Sequence, residues 1–156
     1  MLKLDTLDFK LLEALQSNSK QTHKALAMHL GLSITAVHAR IKKLERARVI
    51  TAYGAYIDGQ LVGKGFRAFC HVKLLQHNRE RLTQFEKQVI KFPEVLACFH
   101  VSGAYDYLLH VVVKDMAQYR TFMVQKLTTL PGIGSTESSF TIATLKNTHQ
   151  IPLLHD

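Results

Sequence analysis

The sequence has few cysteines and no long apolar run. Its 156 residues include two cysteines, Cys70 and Cys98, which are too few for a disulfide framework. No apolar stretch approaches the roughly 20 residues that a membrane-spanning helix needs, and the N-terminus lacks the hydrophobic core of a signal peptide. These absences argue against secretion and against a membrane partner, so we expect a cytoplasmic protein.

Signatures of catalysis and of metal binding are also missing. The nine histidines are scattered, and no nucleophile, base and orienting residue stand at a recognisable spacing. There is no Cys-x-x-Cys pair. Cys98 and His100 would share one face of a strand, so a metal site completed by His71 or His110 stays open, although a buried cysteine more often serves packing. We therefore predict no enzyme, no resident metal and no cofactor.

Positive charge is concentrated in the first third of the chain. The formal net charge is +8. Residues 1–50 hold nine Lys or Arg against four Asp or Glu, a net charge of +5, whereas residues 51–156 hold eleven against eight, a net charge of +3. An excess of cations in one region favours a polyanionic partner, so we expect nucleic acid to bind there.

Residues 22–44 are typical of two short helices that meet at a glycine turn. Thr22 can cap the first helix, Gly31 can end it in the left-handed conformation, and Ser33 can cap the second. Apolar residues recur at helical spacing along the second helix, and we expect all of them to be buried. They are Ile34, Val37, Ile41 and Leu44.

The other face of the second helix is predicted to point outward. It presents small residues first and cations later, which suits a recognition helix in the major groove of DNA with its end on the phosphates. An ordinary helical hairpin with a solvated basic face is the alternative. The outward residues are Thr35, Ala36, His38, Ala39, Arg40, Lys42 and Lys43.

Around this hairpin the chain is predicted to form two domains and a connection. A helix over about residues 5–16, capped by Asp5, should pack behind the hairpin. Residues 51–65 combine β-forming residues with four glycines and are interpreted as an extended arm and a junction. We therefore predict a helix-turn-helix domain over 1–50, a linker over 51–65 and a second domain over 66–156.

The second domain has a mixed pattern that predicts an α+β fold. Strands are expected over 66–75, 95–102, 107–113 and 134–145, with helices over 79–91 and after Asp115. The order β-α-β-β-α-β is the ferredoxin-like motif, which places both helices on one face of an antiparallel sheet. The other face should be apolar and support dimerisation. Its expected members are Phe69, His71, Phe99, Val101, Leu109 and Val111.

Five separate stretches resemble one known family, the Lrp/AsnC transcriptional regulators. They are Leu4-Asp5-x-x-Asp8-x-x-Leu11-Leu12; Leu26-Ala27-x-x-Leu30-Gly31-Leu32-Ser33 with Arg40-Ile41 and Leu44-Glu45; Val101-Ser102-Gly103-x-Tyr105-Asp106-Tyr107-Leu108-Leu109; Asp115-Met116-x-x-Tyr119; and Leu130-Pro131-Gly132. Departures from the family pattern occur at Ala25, Arg48 and Ala104. The last of these leaves the identity of any effector open.

The resemblance implies a transcriptional regulator of the nucleoid. It would bind double-stranded DNA as a homodimer, assemble further into tetramers or octamers, and bind a small effector, commonly an amino acid. The implied DNA contacts are Ser33, Thr35, Ala36, His38 and Arg40, with Lys42 and Lys43 on the DNA backbone. The implied effector residues are Gly103, Ala104, Tyr105, Asp106, Gly132, Gly134 and Thr136.

The residue types in the turn over residues 103–107 agree with an amino-acid effector but leave alternatives open. Asp106 can pair with an α-ammonium group, and small residues expose backbone N–H groups to a carboxylate. Asp106 can instead be a hairpin residue that bonds its own backbone. For the whole chain, the alternatives are an architectural protein that wraps DNA with little specificity, and an amino-acid sensor that acts through protein partners.

Overall fold

The computed structural model describes residues 3–153, which divide into two compact units. One unit combines residues 3–56 with residues 146–153, and the other comprises residues 57–145. The segment 146–153 thus packs with the first unit, whereas the sequence predicts that it belongs to the second domain. The ends of the predicted domains, residues 1–2 and 154–156, lie outside the described residues. No helix within residues 3–153 is long and apolar enough to cross a membrane.

The first unit contains three helices, and each begins directly after the residue predicted to cap it. They are α1 (Thr6–Ser17), α2 (His23–Leu30) and α3 (Ile34–Arg46). The side chains of Asp5, Thr22 and Ser33 each accept a hydrogen bond from a backbone N–H three residues later, which satisfies one orphan donor per helix. Gly31 ends α2 at a φ of 65°. The predicted helix-turn-helix is therefore confirmed.

The core of this unit is the apolar stripe that the sequence predicts, apart from its first member. Val37, Ile41 and Leu44 are buried against Leu11 and Leu26 among others. Ile34 is 51% exposed, so the prediction that it is buried was wrong. Because Ile34 is the first residue of α3, it lies at the open end of the helix, one turn before the side chains that reach the core.

The exit from α3 depends on an unusual backbone conformation at Arg48. Its φ is 55°, in the left-handed region that favours glycine. This turn lets the N–H of Val49 donate to the carbonyl of Leu44 over 2.9 Å, which satisfies one of the last helical carbonyls. Residues 51–58, which follow, are exposed and belong to no helix or strand.

The second unit is an antiparallel sheet with helices against one face. Its elements are β1 (Phe66–Leu74), α4 (Arg79–Val89), β2 (Val95–His100), β3 (Tyr107–Val113), α5 (Met116–Gln125), a 3-10 turn (Leu127–Thr129) and β4 (Ile133–Phe140). The strand order is β2-β3-β1-β4. This order, with every pair antiparallel, confirms the ferredoxin-like fold. The predicted last strand was five residues too long, since β4 ends at Phe140 and Ile142 and Leu145 are fully exposed.

Register decides which residues face the helices. Val72 of β1 pairs with Tyr107 of β3, and both are buried beneath Phe85 of α4 and its neighbours. Leu109 and Val111 follow Tyr107 at intervals of two and are also fully buried on that side, so assigning them to the open face was wrong. The open face instead carries Leu108, His110 and Val112 from β3, with Phe69, His71 and Phe99 as predicted.

Candidate DNA interface and effector site

One exposed stripe runs along the recognition helix α3. It contains the exposed residues Thr35, His38, Ala39, Lys42 and Arg46, which follow one another at intervals of three or four residues except for the adjacent His38 and Ala39. This spacing places them on one side of the helix, with small side chains at its N-terminal end and cations toward its C-terminal end. Such an order fits a helix whose first turns meet base edges and whose last turn meets phosphates.

Two predicted DNA contacts are instead bound within the protein. Arg40 Nη1 lies 2.7 Å from Asp5 Oδ2 and 2.7 Å from Asp8 Oδ1, and Lys43 Nζ lies 2.7 Å from Asp8 Oδ2. Both cations are only partly exposed. The expectation that they point outward was wrong, because the start of α1 lies against this side of α3 and supplies two carboxylates.

The carboxylates that hold these cations also cap α1. Asp8 is fully buried and accepts a hydrogen bond from the N–H of Asp5, while Asp5 accepts one from the N–H of Asp8. The hydrogen bond from Arg40 is the main cause of the lowered pKa of Asp5. Burial acts to raise the pKa of Asp8, but hydrogen bonds from Lys43 and Arg40 outweigh it and lower that pKa. The network therefore keeps both carboxylates ionised and fixes α3 against α1.

Three other predicted DNA residues have local interactions. Ser33 Oγ accepts the N–H of Ala36 over 3.1 Å, so its first role is to cap α3, and Ala36 itself is half-buried. Lys42 pairs with Glu45 over 3.0 Å at the surface, where such a pair contributes little to stability. Lys42 thus remains accessible to a phosphate.

The predicted effector loops meet at the end of β1. The N–H of Leu74 donates to Asp106 Oδ2 over 2.7 Å, and the N–H of Leu75 donates to the carbonyl of Gly132 over 2.8 Å. The turn before β3 and the loop before β4 thus lie on either side of the same two residues. The structure brings together the two predicted halves of the site, with the β1–α4 connection between them.

Asp106 is mostly buried and already has two partners. Its side chain is 16% exposed, and its second oxygen, Oδ1, lies 2.9 Å from His77 Nε2. The carboxylate therefore joins the β3 turn to β1 and to the residues after β1, rather than bonding within its own turn. His77 is exposed and Leu74 is buried, so solvent reaches Asp106 from the side of His77. Sequence reasoning missed His77 because it lies 29 residues from Asp106.

Tyr105 lies on the open side of the sheet, against β1 and β4. Its ring packs against His71 at a centroid distance of 5.1 Å, and its hydroxyl donates to Glu137 Oε2 over 2.5 Å. This hydrogen bond is the main cause of the raised pKa of Tyr105. Thr136 pairs with buried Val72 and so faces the helices, whereas its neighbour Glu137, which sequence reasoning missed, faces the open side.

Glycine is required at several positions of these loops. Gly103 and Gly132 have φ values of 131° and 89°, which side chains rarely permit. A Cβ on Gly134 would lie 3.1 Å from Leu75 Cδ2. Ala104 is exposed beside Gly103. The small residues keep both loops close to the end of β1 and leave backbone groups accessible.

The alternative of a cysteine and histidine metal site does not fit the sheet. Cys98 pairs with Leu109 and His100 with Tyr107, which places both on the face covered by helices. His71 and His110 lie on the opposite face. Within residues 3–153 no group of three or more His, Cys, Asp or Glu side chains is arranged to hold a metal ion.

An open groove of about 960 Å³ lies along α5. Met116, Tyr119 and Phe140 are among its lining residues. Met116 is exposed because it is the first residue of α5. The groove contains none of the predicted effector residues.

Comparisons with known proteins agree with this architecture. A profile described as the Lrp/AsnC ligand binding domain matches residues 67–151, and one described as a winged helix-turn-helix DNA-binding domain matches residues 4–51. The Bkd operon transcriptional regulator of Pseudomonas aeruginosa is 34% identical over 142 residues, which cover 91% of this chain and 93% of that protein. The DNA-binding transcriptional activator DecR of Escherichia coli is 34% identical over 150 residues, covering 96% and 99%.

A solved structure shows the same fold over nearly the whole chain. It is a transcriptional regulator of Neisseria meningitidis in complex with L-Met, with a TM-score of 0.91 at 33% identity, covering 96% of this chain and 97% of that one. The fold and its two sites define a transcriptional regulator with separate DNA-binding and ligand-binding domains. The chain belongs to the Lrp/AsnC family. That family and these relatives regulate transcription and are not enzymes.

Proposed function

We propose that this regulator acts in the cytoplasm on the nucleoid, as a homodimer that binds near-palindromic DNA and responds to an amino acid. The observation that carries the DNA-binding part is the exposed stripe on α3, which begins with Thr35 and ends with Arg46. A two-fold dimer presents two such helices to half-sites about 10 base pairs apart, or a multiple of that spacing.

The two ends of the stripe are expected to contact different parts of the DNA. Thr35, His38 and Ala39 lie where base edges would be read, and Lys42 and Arg46 lie where phosphates would be met. Arg40 and Lys43 then act as positioning residues, because their bonds to Asp5 and Asp8 hold the helix that presents the stripe. This revises the contacts implied by the family resemblance.

Thr35→Glu is expected to weaken binding to a selected DNA site by about ten-fold or more. A carboxylate at this exposed position would face the acceptor-rich groove edge and the phosphates, and one lost base contact alone costs about 1–3 kcal/mol. Fluorescence anisotropy with a site selected from random sequences by the wild-type chain measures the effect. Gln125→Glu, an exposed change of equal charge in the second unit, is the matched control. Equal affinity of the two variants would remove Thr35 from the interface.

Support for an amino-acid effector comes from the geometry of the loops and from the relatives. Asp106 offers a carboxylate to an ammonium group, and the glycine-rich loops expose backbone N–H groups for a carboxylate. The Neisseria relative was crystallised with L-Met, and leucine-responsive regulatory proteins are about 30% identical to this chain. We therefore place the effector between the residues 103–106 and 131–136.

A thermal-shift screen against the twenty amino acids tests this assignment. A ligand present at 100 times its dissociation constant adds about 2.7 kcal/mol of stability, which a melting curve resolves readily. A shift with one or a few amino acids supports an effector-gated regulator. Silence across the panel would contradict the amino-acid effector and favour an architectural protein, whose DNA affinity would depend steeply on salt and little on sequence.

The homodimer is proposed to form through the open face of the sheet. Phe69 stacks on His110 at a centroid distance of 5.0 Å, and both lie on this face with half-exposed Phe99. An apolar sheet face of this kind is covered by a self-complementary surface in a two-fold dimer. We propose that tetramers or octamers are built from such dimers.

Phe99→Ala is expected to raise the dimer dissociation constant by about ten-fold, because a large aromatic side chain at the centre of an interface can contribute more than about 1 kcal/mol to association. Sedimentation velocity over a concentration series measures the change. Val124→Ala removes an apolar side chain of similar exposure from α5 and should leave association unchanged. If both variants associate like the wild type, the open face is not the dimer interface.

A further inference from the structure

The last described segment of the chain is part of the DNA-binding unit. Residues 146–153 follow the effector-binding unit in sequence but pack with α1 and with the arm after α3. Leu153 is half-buried against the core of the three helices. A terminal segment stays ordered only where side chains and hydrogen bonds hold it, and this one has several such contacts.

Gln16 at the end of α1 holds the segment at three points. Its Oε1 accepts the N–H of Ile151 over 2.7 Å, and its Nε2 donates to the carbonyl of Ile151 over 3.1 Å. Its backbone carbonyl accepts from Gln150 Nε2 over 3.2 Å. The amide of Gln16 thus pairs with both backbone groups of Ile151, as a neighbouring strand would.

An aromatic contact attaches the same segment to the arm. His149 stacks on Tyr56 at a centroid distance of 5.4 Å and an interplanar angle of 26°. Tyr56 is the last residue before the chain enters the second unit, and Lys146 is the first residue after the chain leaves it. The chain therefore passes between the two units twice, after Tyr56 and before Lys146. Residues 146–153 pack with the first unit and so fix the end of the second connection.

The second connection is short. β4 ends at Phe140, and the N–H of Thr141 still donates to the carbonyl of Arg67, so the sheet holds the chain up to this point. The seven residues 142–148, which lie between Thr141 and the stacked His149, span at most about 25 Å when fully extended. A single connection, such as the exposed residues 51–58, would leave the orientation of the helix-turn-helix unrestricted. A second short connection restricts its orientation.

We infer that residues 146–153 form a strap through which the effector-binding unit restricts the orientation of its own helix-turn-helix. The strap follows β4 after the short connection 141–145, and β4 itself follows the loop in which we place the effector. The inference rests on the proposed function, because it concerns how a dimer of these units presents two recognition helices to DNA. It predicts that a slack strap relaxes the preferred half-site spacing and weakens the effector response while leaving the docked contacts in place.

Inserting a flexible Gly-Ser linker of about 12 residues between Leu145 and Lys146 tests the strap, because such a linker adds a root-mean-square length of about 20 Å. The control carries the same residues appended after Asp156. DNA affinity is measured on a selected site and on the same site with half a helical turn inserted between its half-sites. The wild type and the control should bind the selected site about ten-fold more tightly than the altered site. In the linker variant this ratio of affinities should fall by at least about three-fold.

A second variant distinguishes a strap that restricts orientation from a segment that only stabilises the first unit. Gln16→Ala removes the paired hydrogen bonds to Ile151 without lengthening the chain, and it should relax the spacing preference in the same direction. Unchanged spacing preference and unchanged effector response in the linker variant would overturn the strap. Failure of the proposed function is distinguishable from failure of the strap. In that case the wild-type chain itself would show no selective DNA binding or no amino-acid binding.

Discussion

Asp8→Ala is expected to lower the free energy of unfolding of the helix-turn-helix unit by about 2–4 kcal/mol. Asp8 is fully buried, and its loss removes the ion pairs to Arg40 and Lys43 and half of the capping box of α1. Removing one partner of a buried pair costs about 3–5 kcal/mol, and the partial exposure of both cations reduces this. Chemical unfolding followed by far-ultraviolet circular dichroism measures the loss.

Lys42→Ala is the matched control for this prediction, because it breaks an exposed ion pair of the same helix. Its expected cost is below about 0.5 kcal/mol. Equal effects of Asp8→Ala and Lys42→Ala would show that the network does not hold α3 in place.

The dependence of stability on pH provides an independent test of the ion pairs between Asp8 and the cations of α3. The pKa of Asp8 in the folded protein is lowered from its ordinary value of 3.8. A carboxyl group with a lowered pKa stabilises the folded state above its unfolded pKa, and this contribution is lost as the pH falls through the folded pKa. The wild type should therefore lose stability below about pH 4, and Asp8→Ala should lose less over the same range.

Asp106→Asn is expected to weaken binding of the effector amino acid by about 10- to 100-fold, since a hydrogen bond to a charged group contributes about 1.5–3 kcal/mol. The amide oxygen can still accept the N–H of Leu74, so the fold is retained while the negative charge is lost. Calorimetric titration with the amino acid that stabilises the wild type most measures the change. Binding at wild-type affinity would exclude Asp106 as the partner of the ammonium group.

Asp106→Ala is a poorer test because it also leaves the N–H of Leu74 without its acceptor. An unsatisfied backbone donor of this kind costs about 1–3 kcal/mol, and the loops around the site would loosen with it. His77→Gln is the better companion, since it changes the exposed partner of Asp106 and leaves the contact to β1 intact. It should alter effector affinity much less than Asp106→Asn does.

Local features of the helices could be predicted because they depend on residues close in sequence. The caps at Asp5, Thr22 and Ser33 are contacts across three residues, and the turn at Gly31 depends on one backbone conformation. The order of strands and helices in the second unit followed from periodicity and turn residues. The family resemblance also predicted the architecture that the comparisons confirm.

The faces of the sheet could not be predicted in the same way. β3 is apolar at nearly every position, and Val111, Val112 and Val113 are all buried, so alternation along it does not indicate which side faces the helices. Only the pairing of Tyr107 with Val72 fixes the side. A shift of one residue in that register would exchange the two faces.

By itself, the sequence determined the helix-turn-helix, the ferredoxin-like order of elements and the excess of positive charge on the first unit, since each follows from local composition and spacing. Only the tertiary structure decided that Arg40 and Lys43 bind Asp5 and Asp8, that Asp106 joins its turn to Leu74, and that residues 146–153 dock on α1. These contacts join residues 32 to 135 positions apart. No local pattern encodes such pairs, because they form only when packing brings distant segments together.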